Sequence, residues 1–562
     1  MRLKMMRKTF LLVGVFFTLA ACQNVSTTSQ TQAIASAHPA ATQAGLDILN
    51  QGGNAFDAAV AVSAALAVVE PFGSGMGGGG FWLLHRASDG QQVMVDGREV
   101  APLAASRDMY LDEQGEPIKN ASVNGALSAG IPGLPAALVH LSEKYGQLPL
   151  ADSLQPAIKL ADTGFSVNEH YQRLAKFRQP VLASNKAARA VFLVDGEAPE
   201  VGTLIKQSDL ADTLELLAKY GFDGFYKGEV ANKLVSGVQQ NGGIWSKQDL
   251  ANYTVKERAP IVIDYKNIKV TTATLPSSGG LVLSVALNIL EQYDLTSMDE
   301  ATRIHVVVEA MRRAYRDRAL YMGDSDFVSV PTDELTKKSY AHKVSADLKL
   351  NEATPSQHLT GLNEIEGHDT THFSVIDRDG NRVAATLSIN YPFGSGFVPD
   401  GTGVLLNDEM DDFSIKPGTP NVYGLVGGEA NAIEPGKRML SSMSPTFFET
   451  KEKIGVLGTP GGSRIISMVL LGILDAEKGN KPESWVSLPR FHHQYLPDVI
   501  QYEPNGLSDK VMDALRKFGH ELESVGRPYG NMQAIFRDKT SKETFSASDP
   551  RAFGSAKVEV TK

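Results

Sequence analysis

Apolar and polar residues change rhythm several times along this chain. Residues 41–50 place apolar side chains at helical spacing and stop at Gly52-Gly53, which predicts a short helix with a glycine terminator. Residues 55–70 are rich in Ala and Val and apolar on nearly every side, the pattern of a buried helix. Phe81–Leu84 and Val93–Val95 read as strands joined through Ser88-Asp89-Gly90. From about 130 to 345 the pattern is mostly helical, with amphipathic stretches at 209–219, 280–292 and 302–321. Residues 351–369 are polar, contain Pro355 and carry no period, so they read as a linker or surface loop. The rhythm then switches: Thr371, Phe373 and Val375 alternate, Asp379-Gly380 supplies a turn, and 383–389 forms a return strand. Residues 445–458, 497–502 and 531–537 predict further strands. Strands at both ends around a helical middle predict a layered α/β or α+β body.

The first residues follow another rule. Arg2, Lys4, Arg7 and Lys8 precede an apolar run, Phe10 to Ala21, that is too short to span a bilayer and reads as an export signal. The run ends Leu19-Ala20-Ala21-Cys22, which resembles the lipobox of bacterial lipoproteins. The expectation is a signal over 1–21, lipid on Cys22, a flexible tether over 22–33, and a periplasmic protein anchored to the outer membrane. A plain secretory signal with an incidental Cys is the alternative.

Composition narrows the remainder. At 562 residues, about 150 per domain predicts three to four domains. A hydrophobic share of 42% with 21% charged residues describes a globular chain. The single Cys excludes an internal disulfide and a Cys-based zinc site. A net charge of -10 without a basic patch argues against nucleic acid as partner.

Some motifs mislead. Gly73, Gly75 and Gly78 spell G-x-G-x-x-G, but a dinucleotide fingerprint follows a strand and opens a helix, and here that order is reversed. Close backbone packing or a sharp turn is the better reading. His492-His493 are adjacent, diverge in direction and lack a third ligand nearby, so they read as structural. Neither H-E-x-x-H nor G-x-S-x-G occurs.

Taken together, GGNAFDAAVAVSAALAVVEPFGSGMGGGGFW (52–82), DGREVAP (96–102), DTTHFSVIDRDGN (369–381), LLNDEMDDFS (405–414), KRMLSSMSPT (437–446), TPGGSRII (459–466), PRFHHQ (489–494) and ASDPR (547–551) occur in this order. The set resembles the γ-glutamyltranspeptidase (glutathione hydrolase) family over about residues 34–553. The resemblance implies an α+β, four-layer α-β-β-α sandwich of the N-terminal nucleophile hydrolase type. It implies self-cleavage between Asp369 and Thr370, giving a large chain to 369 (34–369 after the tether) and a small chain 370–562 that together form one catalytic domain.

A terminal Thr suits this chemistry because its free α-amine, with an ordinary pKa of about 7.7–8.0, can deprotonate its own hydroxyl. By the same resemblance, backbone N–H groups of Gly461 and Gly462 form the oxyanion hole. Ser388 supplies a hydroxyl to the nucleophile where relatives carry Thr. Arg98, Ser441 and Ser442 bind the donor's α-carboxylate, and Asn390, Glu409 and Asp412 hold its α-ammonium. Tyr423 lies in a lid, 420–428. Asp408 and Asp411 read as a solvated loop face. Donors would be γ-glutamyl compounds, and acceptors water, amino acids or dipeptides, with no cofactor or metal. A glutaryl-type cephalosporin acylase and a catalytically dead, lipid-anchored binding protein are the alternatives.

Overall fold

The computed structural model describes residues 30–356 and 370–560; Cys22, most of the tether and Asp369 lie outside them. Among the described residues two antiparallel sheets dominate. In spatial order the larger runs Ser555–Val560, Thr31–Ser36, Thr371–Ile376, Arg382–Ser388, Gly79–His85, Gln92–Gly97, Lys256–Arg258. The second runs Thr544–Ser548, Gln533–Asp538, Lys453–Gly458, Thr446–Glu449, Ile268–Thr272, Ile261–Tyr265.

Alternation along the strands assigns the layers. Trp82, Leu84, Val93 and Val95 pack with helices Pro39–Asn50 and Ala55–Val69 on the outer face of the larger sheet. Phe81, Leu83 and Met94 face the other way and join Phe447, Val456 and Ile535 of the second sheet. That core continues to helices Gly279–Leu290, Glu300–Tyr321 and Ile465–Glu477. The result is the expected helix–sheet–sheet–helix sandwich. No described helix is long and apolar enough to cross a membrane.

Three local expectations change. The helical middle contains strands from 256 to 272, which complete both sheets. Gly279–Leu290 is buried all round instead of amphipathic, since its sequence offers no polar face. Instead of three or four separate units, two shared sheets tie the chain's ends together. Thr31–Ser36 lies between Ser555–Val560 and Thr371–Ile376, so residues from before and after the linker interleave in one sheet.

Register sets the site. Thr371 pairs with Leu387, Ser388 with Gly79, and Gly80 with Gly97. The start of one strand, the end of its return strand and Arg98 therefore share one end of the sheet. A side chain at Gly458 would collide with the His372 ring, so the second sheet closes on the first there and delivers the turn after 458 to the same end.

Candidate active site

The seat of Thr370 is made of backbone. The capping box of Asn54 and Asp57 starts the buried helix Ala55–Val69, and the glycine-rich run follows its end. A Cβ at Gly77 would collide with the Leu405 carbonyl and one at Gly78 with the Ser388 carbonyl. A Cβ at Gly73 would sit 3.3 Å from the Thr370 carbonyl. Of the two expected roles, Gly77 and Gly78 show close backbone packing. Thr370 is 9% exposed, and the hydroxyl of its neighbour Thr371 donates to Glu70 at 2.7 Å.

Thr370 borders a small cavity with Arg98, Ser388, Asn390, Glu409, Asp412, Tyr423, Ser441, Ser442 and Gly462. Gly461 faces a second cavity, which also reaches Thr370. The two glycines thus flank the same residue from either side. Gly461 has φ 144° and Gly462 φ 54°, conformations that strain any residue with a Cβ.

Charge is concentrated in the same cavity as Thr370. The fully buried Arg98 guanidinium pairs with Glu409 and, at 2.5 Å, with Asp412. Burial alone would lower its pKa, but Glu409, Asp412 and Glu99 outweigh that and hold it above the ordinary value. Burial pushes the Glu409 carboxyl up to about 7, against the pull of Arg98, and also raises Asp412. Such buried pairs are costly to break one-sidedly, because the remaining charge has nowhere to be solvated.

The hydroxyls and the lid complete this wall. The Ser442 hydroxyl accepts from Arg318 at 3.4 Å, while the Ser441 hydroxyl accepts from the Met443 N–H at 3.1 Å. The Tyr423 hydroxyl donates to the Asn390 carbonyl at 2.6 Å, and its ring covers the side of Gly462 where a Cβ would stand. Asn421 shapes the lid by accepting from the Tyr423 and Leu425 N–H groups at 3.0 and 3.1 Å. Ser388 differs from expectation. Its hydroxyl accepts from the Asn390 N–H at 2.8 Å and steadies Glu409, and no hydrogen bond joins it to Thr370.

The sequence pattern of γ-glutamyltranspeptidases matches residues 41–559. The chain belongs to the γ-glutamyltranspeptidase family. It is 43% identical over 526 residues to a glutathione hydrolase proenzyme of Escherichia coli, covering 92% of this chain and 90% of that one. A second glutathione hydrolase proenzyme, from Pseudomonas aeruginosa, is 42% identical over 550 residues, covering 96% and 97%. Among solved structures, the γ-glutamyltranspeptidase of Helicobacter pylori aligns with TM-score 0.56 at 41% identity, covering 57% of this chain and 92% of that chain. A cephalosporin acylase from Bacillus halodurans aligns with TM-score 0.82 at 28% identity, covering 94% and 96%. Fold alone therefore does not separate the transpeptidase and acylase readings.

Within this member of the family, the acidic run needs correction. Asp408 and Asp411 are buried, not solvated. The Asp411 carboxylate accepts from Ser122 at 2.7 Å and from the lid's Val422 N–H at 2.9 Å, so it anchors the lid. Burial pushes its carboxyl up to about 6. Asp408 accepts from the Tyr391 N–H at 3.0 Å and feels the buried Arg178. Arg318 and Glu99 were missed altogether. Both are buried beside the cavity, Arg318 against Ser278 and Ser442, Glu99 3.7 Å from Arg98. Burial, with the neighbouring Glu409, pushes the Glu99 carboxyl well above the usual carboxylate range. The position of Arg318 on the inner face of Glu300–Tyr321, a polar residue where the helix packs, was the available signal.

The histidine pair is structural, as expected. His492 bonds Ser467 and Gln494, His493 contacts Asp498 at 3.1 Å, and burial lowers them to about 3 and 4. A third group, His305, Glu309 and His520, has ligand-type atoms within 4.8 Å. His305 must donate to the Lys349 carbonyl (2.7 Å), hence accepts from His520 (2.7 Å), while Arg312 and Arg313 both hold Glu309. Two cations on the only carboxylate disfavour a metal there, and the cluster acts as a strut between residues on either side of the linker.

Proposed function

We propose that this protein is a self-cleaving γ-glutamyl hydrolase and transferase acting on glutathione and related γ-glutamyl compounds, with Thr370 as nucleophile. The observation that carries the reading is one cavity lined both by Thr370 and by the Arg98–Glu409–Asp412 charge group. A γ-glutamyl donor is a zwitterion beyond its reacting carbonyl. Its α-carboxylate replaces the acids on Arg98, with Ser441 and Ser442 donating, and its α-ammonium takes over Glu409 and Asp412, with Asn390 alongside. Each buried charge keeps a partner through the exchange, so a donor lacking either group leaves one unpaired. Arg318, behind Ser442, adds positive potential on the carboxylate side.

In the reaction the Thr370 α-amine takes the hydroxyl proton as Oγ attacks the γ-carbonyl. The oxyanion forms against the Gly461 and Gly462 N–H groups. The C–N bond breaks, the departing amine receives the proton, and a γ-glutamyl ester remains on Thr370 for water or an acceptor amine to attack. Before the Asp369–Thr370 bond is cut the base is an amide, so the precursor is inactive. The interleaved strands keep chains 34–369 and 370–562 together afterwards, and they should separate only on denaturation. Side-by-side turnover of γ-glutamyl-p-nitroanilide and glutaryl-p-nitroanilide tests the reading; preference for the glutaryl compound would favour the acylase alternative.

For location, the basic-then-apolar start and Leu19-Ala20-Ala21-Cys22 support export and a lipid anchor on Cys22, with 22–33 as tether. Incorporation of labelled palmitate that is lost in Cys22→Ala tests this, and unlabelled wild-type protein refutes it.

A further inference from the structure

We propose that Tyr315 is a positioning residue for the turn that forms the oxyanion hole, and that one turn of its helix, Tyr315 to Arg318, holds this oxyanion turn in register with the serines that bind the donor's α-carboxylate. The inference rests on the γ-glutamyl-transfer reading. In that reading Gly461 and Gly462 supply the two N–H donors, with φ 144° and 54°. Glycine has more conformations open to it than any other residue, so such a turn needs holding from outside. Within the turn, the Arg464 N–H donates to the Gly461 carbonyl at 3.1 Å. From outside, the Tyr315 hydroxyl donates to the Ser463 carbonyl. Tyr315 is 2% exposed and its ring meets His492 edge to face at 5.4 Å, so the phenol approaches from a fixed seat. Ser463 follows Gly462 directly and lines the donor cavity. A shift of its carbonyl tilts the turn and swings the Gly462 N–H away from the reacting oxygen.

Arg318 lies three residues on, on the same face of helix Glu300–Tyr321. Its Nε donates to the Ser278 hydroxyl at 3.0 Å and its Nη2 to the Ser442 hydroxyl at 3.4 Å. The Ser278 hydroxyl in turn donates to the Ser441 carbonyl at 2.7 Å. A guanidinium only donates, so Ser442 accepts from Arg318 and keeps its own O–H to donate to a carboxylate. Tyr315 and Arg318 belong to the large chain, Ser441, Ser442 and Ser463 to the small one. The helix thus grips the small chain at two points, one beside the reacting carbonyl and one beside the α-carboxylate. A donor is held at the same two points. Their spacing is set by a rigid turn of helix, a rise of about 4.5 Å between the two residues. Fixed spacing keeps the N–H groups aimed at the oxyanion without reorganisation during the reaction.

The test compares Tyr315→Phe with wild type, both as cleaved enzyme, on γ-glutamyl-p-nitroanilide. The variant keeps the ring and loses one hydrogen bond. Formation and hydrolysis of the γ-glutamyl ester both pass through an oxyanion at the same turn, so both steps should slow together. The expected result is a kcat about tenfold lower with KM within about twofold of wild type. Two competitive inhibitors separate the turn from the wall. In a boronate analogue, boron replaces the donor's γ-carbonyl carbon; Thr370 Oγ adds to it, the hydroxyl proton passes to the α-amine, and a tetrahedral oxygen faces the turn. L-norvaline offers the α-carboxylate and α-ammonium but no oxygen at the reacting end. Tyr315→Phe should weaken the boronate about tenfold and leave norvaline unchanged, whereas Arg318→Gln should weaken both. The inference is overturned, with γ-glutamyl transfer left standing, by an unchanged kcat in Tyr315→Phe, by equal weakening of both inhibitors in that variant, as general loosening would give, or by norvaline binding that Arg318→Gln leaves untouched. Absence of p-nitroaniline release by the cleaved wild type would instead sink the underlying reading, and the inference with it.

Discussion

Beneath Thr370 the chain is held by backbone: Gly77 and Gly78 lie against the Leu405 and Ser388 carbonyls with no room for a side chain, and Gly73 packs closely on the Thr370 carbonyl. Across the cavity the donor wall is held by side-chain charge, Arg98 against Glu409 and Asp412. The first kind of support cannot yield without moving a strand. The second can be exchanged, pair for pair, when a ligand brings charges of its own. A site that must fix a reacting oxygen yet admit a zwitterion needs both, and the contrast predicts how each wall fails.

The largest effect is expected on the charged wall. Arg98→Ala leaves Glu409 and Asp412 buried without their cation, a loss of about 2–5 kcal/mol, so kcat/KM for a γ-glutamyl donor should fall from about thirtyfold to several thousandfold. Arg98→Lys should recover only part, lacking the planar fork. A Lys variant equal to wild type would show that the pairing is not bidentate. On the backbone wall, Gly78→Ala should lower stability by about 1–3 kcal/mol, read as a shift in denaturation midpoint. Loss of activity there without loss of stability would break the contrast.

The next prediction concerns pH. The Glu409 carboxyl titrates at about 7. Below that it is protonated and attracts neither Arg98 nor a donor ammonium, so kcat/KM should fall with falling pH through about 7. The Thr370 α-amine, which must also be unprotonated, acts in the same direction from about 7.7–8.0. Wild type should therefore approach a slope of two on the acid side and Glu409→Gln a slope of one. Equal slopes would remove Glu409 from donor binding. Smallest of all, Tyr423→Phe removes one 2.6 Å hydrogen bond to Asn390 and should raise donor KM about fivefold through a loss near 1 kcal/mol.

The same contrast explains what could be read from the chain beforehand. Backbone features were visible locally: the glycine-rich run, the Asp379-Gly380 turn and the switch to alternation at Thr371 all fall where the strands and their seat form. Even there the alternation carried no inside and outside, because Thr371–Ile376 is buried on both faces between helices and the second sheet. Ile261–Tyr265 does alternate, with Val262 half exposed, yet its short run was hidden by the helices around it. The charge partners were the unreadable part. The local pattern reads Asp411 as solvated, because Ser122, which satisfies it, is far away in sequence. Only the order of eight motifs placed Arg98 and Asp412 in one site, and only the structure added Arg318 and Glu99.

The central claim is that Thr370 becomes a chain terminus and thereby the nucleophile. N-terminal sequencing of the purified protein, alongside Thr370→Ala, tests it most directly. The account predicts two chains, the smaller beginning Thr-Thr-His-Phe, and a Thr370→Ala protein that stays uncut and inactive. An active wild-type chain that is never cut, or a small chain starting at any other residue, would contradict it.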